Sequence, residues 1–211
     1  FLHLYDITVM YFPKFFHPDP TVKRRSGFLI PTIKSSPSSD NYLNTPYFLA
    51  IAENKDATFY PRLYAGEKIL LQTEYRQKNL KSSHLTDFSF FTEKGNDSKN
   101  HFFYEYDKSL DFTNFDDSQI DLVIQKTSND TYLRTNKLIS KIIKDNTILE
   151  NSMGLDLYSN DLSLSFDTTV YEDLNKDNGD RYEYILPKIN LVKKIDNNTS
   201  LDGNFSFKSQ A

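Results

Sequence analysis

The chain has 211 residues, a formal net charge of −4, 15% aromatic residues, no Trp and no Cys. Its mean hydropathy of −0.59 and the lack of any run of about 18 apolar residues exclude a helical membrane bundle. A membrane β-barrel stays open, because its strands give every second residue to a polar lumen. No disulfide or thiolate metal site is possible without cysteine, and the acidic balance makes nucleic acid no expected partner.

The opening "FLHLYDITVMYFPKFF" has neither an initiator Met nor a basic stretch ahead of an apolar core. No signal peptide is read there, and the chain looks like an internal segment of a longer protein. Two apolar segments follow, "RRSGFLIPTIK" and "NTPYFLAIA", which hold Pro31 and Pro46. Proline cannot donate to a strand ladder and is normally kept out of central strands. Period-two alternation then takes over. Ala57, Phe59, Pro61 and Leu63 oppose Thr58, Tyr60, Arg62 and Tyr64; Ile69, Leu71, Thr73 and Tyr75 oppose Gln72, Glu74 and Arg76. Ile120, Leu122 and Ile124 oppose Asp121, Val123 and Gln125, and residues 162–170 alternate in the same way. Further strands are predicted near 86–93, 101–107, 181–193 and 201–208.

Turn-rich breaks separate these runs: "SSPSSDN", "AENKD", "AGEK", "EKGNDSKN" and "NKDNGD". The Asn178-Gly179 pair suits a type I′ hairpin turn. One stretch departs from period two. "NKLISKIIKDN" sets Leu138, Ile139, Ile142 and Ile143 at helical spacing and admits a short helix. The fold expected is all-β, an antiparallel up-and-down meander. Tyr and Phe on the apolar faces, with charges alternating behind them, favour part of a transmembrane β-barrel over a soluble sandwich.

Little in the chain speaks for catalysis. His3, His17, His84 and His101 are scattered without an i, i+4 partner, so exposed or turn positions are expected and not metal ligation. Six glycines are too few for a phosphate-cradling loop, and no G-x-S-x-G elbow is present. "DLNKDNGD" has Asp173, Asn175 and Asp177 at calcium-loop spacing, but Gly179 falls one residue late, and a polar hairpin turn is expected. "NDT" at Asn129 and "NNT" at Asn197 fit the glycosylation pattern, which is frequent by chance. Lys23, Arg24 and Arg25 form a basic start to a strand, able to meet anionic head groups or sugar phosphates. The reading is of a protein that is not an enzyme and takes no cofactor or metal.

The run "VMYFPKFFHPDPTVKRRSGFLIP" resembles the junction region of the lipopolysaccharide-assembly outer-membrane proteins, the LptD/OstA family. The family pattern is an apolar "V-x-Y-x-P-Y/F" strand, a short linker, a basic pair and "SGFLIP". It is matched here by Val9, Tyr11, Pro13 and Phe15, then by Arg24, Arg25, Ser26, Gly27, Phe28, Leu29, Ile30 and Pro31. "TPYFLAIAENKDATFYPRLY" continues the likeness, with Asn54, Asp56, Ala57, Thr58 and Pro61 in register. Thr45 stands where an apolar residue is usual, "AIAE" replaces a more aromatic run, and the family's cysteines are absent. The specific part covers roughly residues 9–76.

The resemblance implies that residues 1–22 are the end of a periplasmic OstA-like β-jelly-roll plus a linker stiffened by Pro13, Pro18 and Pro20. Residues 23–211 would be the N-terminal part of an outer-membrane barrel. It further implies lipopolysaccharide transport into the outer leaflet of the Gram-negative outer membrane, through a lateral gate near the first barrel strands. Pro31 and Pro46 would weaken pairing at that gate. The implied partners are lipopolysaccharide, an LptE-like lipoprotein plug and a periplasmic bridge protein of the LptA type, through which the transport energy would arrive. Alternatives are a passive porin-like channel, an outer-membrane lipid hydrolase with an outward-facing serine–histidine pair, and a soluble all-β glycan-binding module.

Overall fold

The computed structural model describes residues 2–4, 7–10, 24–36, 39–177, 179–195 and 205–211. Near the start, β1 (Leu2–Leu4) and β2 (Ile7–Met10) form a two-stranded antiparallel sheet. The linker prolines Pro13, Pro18 and Pro20 lie outside the described residues. All remaining strands join one 13-stranded antiparallel sheet.

Its regular part is the expected meander. β7 (Lys55–Tyr64), β8 (Lys68–Lys78), β9 (Ser82–Glu93), β10 (Lys99–Ser109) and β11 (Asp117–Thr127) each pair with the next in the chain. The same holds for β12 (Ile148–Tyr158), β13 (Leu162–Asp173), β14 (Tyr182–Ile195) and β15 (Phe205–Gln210). The full-length strands match what a tilted strand needs to cross a bilayer, about 9–11 residues. Glycine serves two of the polar breaks directly: Gly66 and Gly95 adopt φ of +85° and +81°. The sheet is not closed among the described residues, as suits part of a barrel.

The first two strands are each broken in two. β5 (Ser39–Asn44) and β6 (Tyr47–Ala52) both pair with β7 in one register, Asn44 opposite Arg62 and Tyr47 opposite Phe59. They are one strand interrupted at Thr45 and Pro46. Outside it, β3 (Gly27–Phe28) pairs with β6 and β4 (Thr32–Ser36) pairs with β5. Extending the Phe28–Tyr47 register would set Pro31 opposite Asn44, yet Asn44 pairs with Thr32. One extra residue is therefore taken up at 29–31, the mark of a bulge.

Parity divides the two faces as the alternation predicts. Leu63, Ile69, Leu71, Phe88, Phe90 and Phe102 are exposed on one face. Arg62, Gln72, Glu74, Asp87, Ser89, His101 and Gln125 lie on the other and are buried. That polar face was expected to look into the lumen, and its burial has a local cause. Residues 128–147, between β11 and β12, fold back across it.

That inserted segment closes a small apolar core. Tyr132, Leu133, Leu138 and Ile142 pack with Leu70, Phe91, Phe103, Leu149 and Leu174. Its one helix is α1 (Tyr132–Thr135), and the helical spacing at 138–143 does not produce another. The reason is where its carbonyls go. Arg62, Gln72 and Gln125 donate to the carbonyls of Asn136, Ile139 and Ile142 at 2.6, 2.9 and 3.2 Å. Sheet side chains satisfy the backbone that a helix would have paired internally.

Candidate functional site: the broken edge and the covered face

Two features stand apart from the regular meander: the broken pair of strands at its edge and the covered polar face. At the edge, the carbonyl of Pro46 accepts the Leu29 amide at 2.8 Å, and that of Pro61 accepts the Thr45 amide at 3.2 Å. In an antiparallel strand a residue's N–H and C=O point to the same neighbour, and successive residues alternate sides. Pro46 therefore withholds a donor from the first strand, and Pro61 withholds one from the second. Pro31 lies within the bulge at 29–31, directly ahead of Thr32. Pro46 and Pro61 thus thin the hydrogen bonding at one level of the first three strands, and Pro31 sits in the bulge beside them. Pro61 was legible as a strand and motif residue; its alignment with Pro46 needs the register.

Below this level the edge is held by side chains. Arg24 Nη1 and Arg76 Nε reach Asp56 Oδ2 and Oδ1 at 2.8 and 2.7 Å, and Asp56 is buried. Ser26 Oγ accepts the Ala50 amide at 2.9 Å. Gly27 begins β3 opposite Phe48, while Phe28 lays its ring edge-on to Tyr47 at 5.0 Å and is otherwise exposed. Arg25 is exposed. Four of the five junction residues, Arg24, Ser26, Gly27 and Phe28, thus gather at the lower end of the first strand.

On the covered face a hydrogen-bonded chain runs through the sheet into the inserted segment. Gln72 Nε2 donates to both Asp87 oxygens at 3.0 Å, and His101 Nε2 lies 3.1 Å from Asp87 Oδ1. Ser89 Oγ is 2.6 Å from His101 Nδ1 and 2.6 Å from the Tyr132 hydroxyl. Burial pushes the Tyr132 phenol up to about 12. Lys141 adds an ion pair to Glu74 at 2.8 Å. Arg181 joins Asp130 to Glu172, both at 2.7 Å, and its bond holds the Asp130 carboxyl below the usual range.

His101 overturns the expectation of exposed or turn histidines, because cross-strand pairing with Ser89 brings it under Tyr132. No local sequence signal marks it. The serine–histidine pair also faces inward and is capped, so it does not meet the geometry of a lipid hydrolase acting from the bilayer. "DLNKDNGD" is a turn, with Asp173 Oδ1 accepting the Asn175 amide at 2.9 Å; Asn178 lies outside the described residues. Among the described residues no group of three metal-ligating side chains assembles.

No family model matches the chain. It is 28% identical over 208 residues to an LPS-assembly protein LptD of Pseudoalteromonas atlantica, covering 98% of this chain and 26% of that protein. It is 34% identical over 108 residues to the LPS-assembly protein LptD of Pseudomonas syringae pv. syringae, covering 51% of this chain and 11% of the relative. The corresponding protein of Pseudomonas aeruginosa is 32% identical over 109 residues, or 52% of this chain and 12% of its own length. The chain spans about a quarter or less of the curated relatives it matches.

Proposed function

Because the chain belongs to the LptD family of LPS-assembly proteins, we propose that it is the opening part of an outer-membrane lipopolysaccharide translocon, with its lateral gate at the broken first strands. Residues 1–22 are the end of a periplasmic jelly-roll and its linker, and residues 23–211 the first part of the barrel. The substrate is lipopolysaccharide, an LptE-like lipoprotein shares the lumen, and an LptA-type bridge delivers the lipid from the periplasm. The protein is a conduit with no chemical step of its own.

The observation that carries this reading is the pair of adjacent strand breaks at Pro31 and Pro46. Each missing donor removes a hydrogen bond worth about 0.5–1.5 kcal/mol net, and in lipid an unsatisfied carbonyl costs more. A seam that must part gains from both. A passive channel gains nothing from weak edges and needs an open lumen, whereas here residues 128–147 cover the polar face of β7 to β11. With residue 23 on the periplasmic side, the alternation of strands puts that segment on the outer side of the membrane.

The test is a Pro31→Ala, Pro46→Ala double variant of the full-length protein, assayed for surface lipopolysaccharide and envelope permeability. Slower export from a normally assembled barrel is the expected result. Normal export at normal protein levels would overturn the gate.

A further inference from the structure

Register brings an unusual row of side chains together at the upper end of the covered face. Lys34 pairs with Tyr42, Tyr42 with Tyr64, Tyr64 with Lys68 and Lys68 with Glu93, so one rung crosses five strands. The next rung down sets Arg62 beside Leu70, Phe91 and Lys99. The start of the inserted segment adds Arg134 and Lys137. All of these except Arg62 and Leu70, which lie behind the lining, border a cavity of about 510 Å³, within the range of small-ligand sites.

The charges in this cavity are one-sided. Glu93 pairs with Lys68 at 3.0 Å. Among the described residues no carboxylate pairs with Lys34, Lys99, Arg134 or Lys137. Lys34 instead lies within the electrostatic reach of two other cations, Lys137 and Arg62. Lys34 Nζ and the Arg62 guanidinium stand 5.8 and 5.3 Å from the centroid of the same Tyr42 ring. Arg62 is 8% exposed, and its Nε has no hydrogen-bond partner. Cations crowd in this way where an anion completes the site.

The backbone points the same way. After α1, Lys137 takes a φ of 47°, and the Leu138 amide bonds the Leu133 carbonyl at 3.1 Å. This helix-ending turn is usually given to glycine, because a side chain there is strained. Here a lysine is held in that conformation at the rim of the cavity. Strain of this kind marks sites where the side chain itself is needed.

We infer that this cavity binds a phosphate-bearing saccharide, with the cations taking the phosphate and Tyr42 and Tyr64 offering aromatic surface to the sugar. The inference rests on the translocon reading for its ligand: the phosphorylated sugar is the inner part of the lipopolysaccharide chain. The inserted segment is then a sugar-contacting element as well as a cover. Because Arg134 and Lys137 sit on that segment while Lys34 sits on the edge strand, bound saccharide would bridge the cover to the seam.

The experiment uses the purified full-length protein and a phosphorylated core oligosaccharide obtained by deacylating lipopolysaccharide. The variant combines Lys34→Gln with Lys137→Gly. The glycine relieves the left-handed residue, so folding is retained, as unchanged heat-modifiable gel migration will verify. We expect binding at least tenfold weaker in the variant, and the phosphatase-treated oligosaccharide binding equally weakly to both proteins. Binding in the variant within twofold of the parent, or no preference for the phosphorylated form, would overturn the inference. Inorganic phosphate should compete only in large excess; displacement at equal concentration would mean a simple phosphate site and overturn the saccharide assignment. Depletion of the full-length protein in cells tests the translocon reading separately. Export that survives depletion defeats that reading, whereas unchanged oligosaccharide binding in the variant defeats only the cavity.

Discussion

The carbonyl of Pro46 takes the amide proton of Leu29 at 2.8 Å, and Pro46 has no proton to return. In a regular antiparallel pair the two residues would exchange both bonds. Pro46→Ala should supply the missing one and strengthen the first pair by about 0.5–1.5 kcal/mol. Pro31 lies in the bulge and is not a member of the Leu29–Pro46 exchange, so Pro31→Ala should leave that pair unchanged. Amide exchange of the full-length protein separates the two: slower exchange around Leu29 and Phe48 is expected for Pro46→Ala alone. Equal protection by Pro31→Ala would show that the donor missing at Pro46 is not what weakens the pair.

The two arginines on Asp56 are not equivalent. Arg24 is 61% exposed and Asp56 4% at the side chain. Arg24→Ala should cost at most about 1 kcal/mol, as exposed ion pairs do. Asp56→Ala removes the buried partner of both arginines and should cost several times more. Thermal unfolding of the two variants, followed by heat-modifiable migration, should show that order. A reversed order would mean that the Arg24 contact, and not the buried carboxylate, carries the clamp.

Tyr132 seals the covered face through Ser89, so Tyr132→Phe should loosen the inserted segment. A loss of about 1–3 kcal/mol is expected for a broken bond in a buried network. Limited proteolysis between residues 128 and 147 in the full-length protein reads it directly. The phenol also predicts a pH dependence. Its value is raised from 10.0 to about 12, so the folded chain holds this proton more tightly than the unfolded one. The stability it brings is complete below pH 10 and is lost as pH rises through about 12. Tyr132→Phe should lack that component. An identical alkaline profile in the variant would remove Tyr132 from the account.

Gly154 sits opposite Asp121 in the β11–β12 ladder. A Cβ at this glycine would stand 2.3 Å from Asp121 Oδ1 and 2.9 Å from its Cγ. Gly154→Ala should therefore destabilise by about 1–3 kcal/mol through overpacking. Asp121→Ala should restore most of that loss in the double variant. Additive costs would show that the clash is relieved by rotation of the carboxylate alone.

The alternation at 57–64 and 69–76 was enough to assign both the strands and their faces, because a strand repeats every two residues whatever lies beyond it. The polar breaks likewise marked the turns, and Gly66 and Gly95 sit in two of them with the positive φ that turns require. Residues 138–143 show where periodicity fails. Leu138 and Ile142 are spaced for a helix, but their burial comes from five different sheet strands or turns, and the carbonyls of Asn136, Ile139 and Ile142 are taken by Arg62, Gln72 and Gln125.

By itself the sequence determined the all-β class, the strand periods, the outward apolar residues and the two prolines that interrupt the edge, since all of these are local properties of neighbouring residues. Only the tertiary structure decided that the polar face is covered, that His101 is buried against Asp87 and Ser89, and that Pro61 aligns with Pro46. It alone set Lys34, Tyr42, Tyr64 and Lys68 in one row beneath Lys137. The physical reason is register: cross-strand neighbours are set by how two strands align and not by their order in the chain, and a shift of one residue would send every one of them to the opposite face.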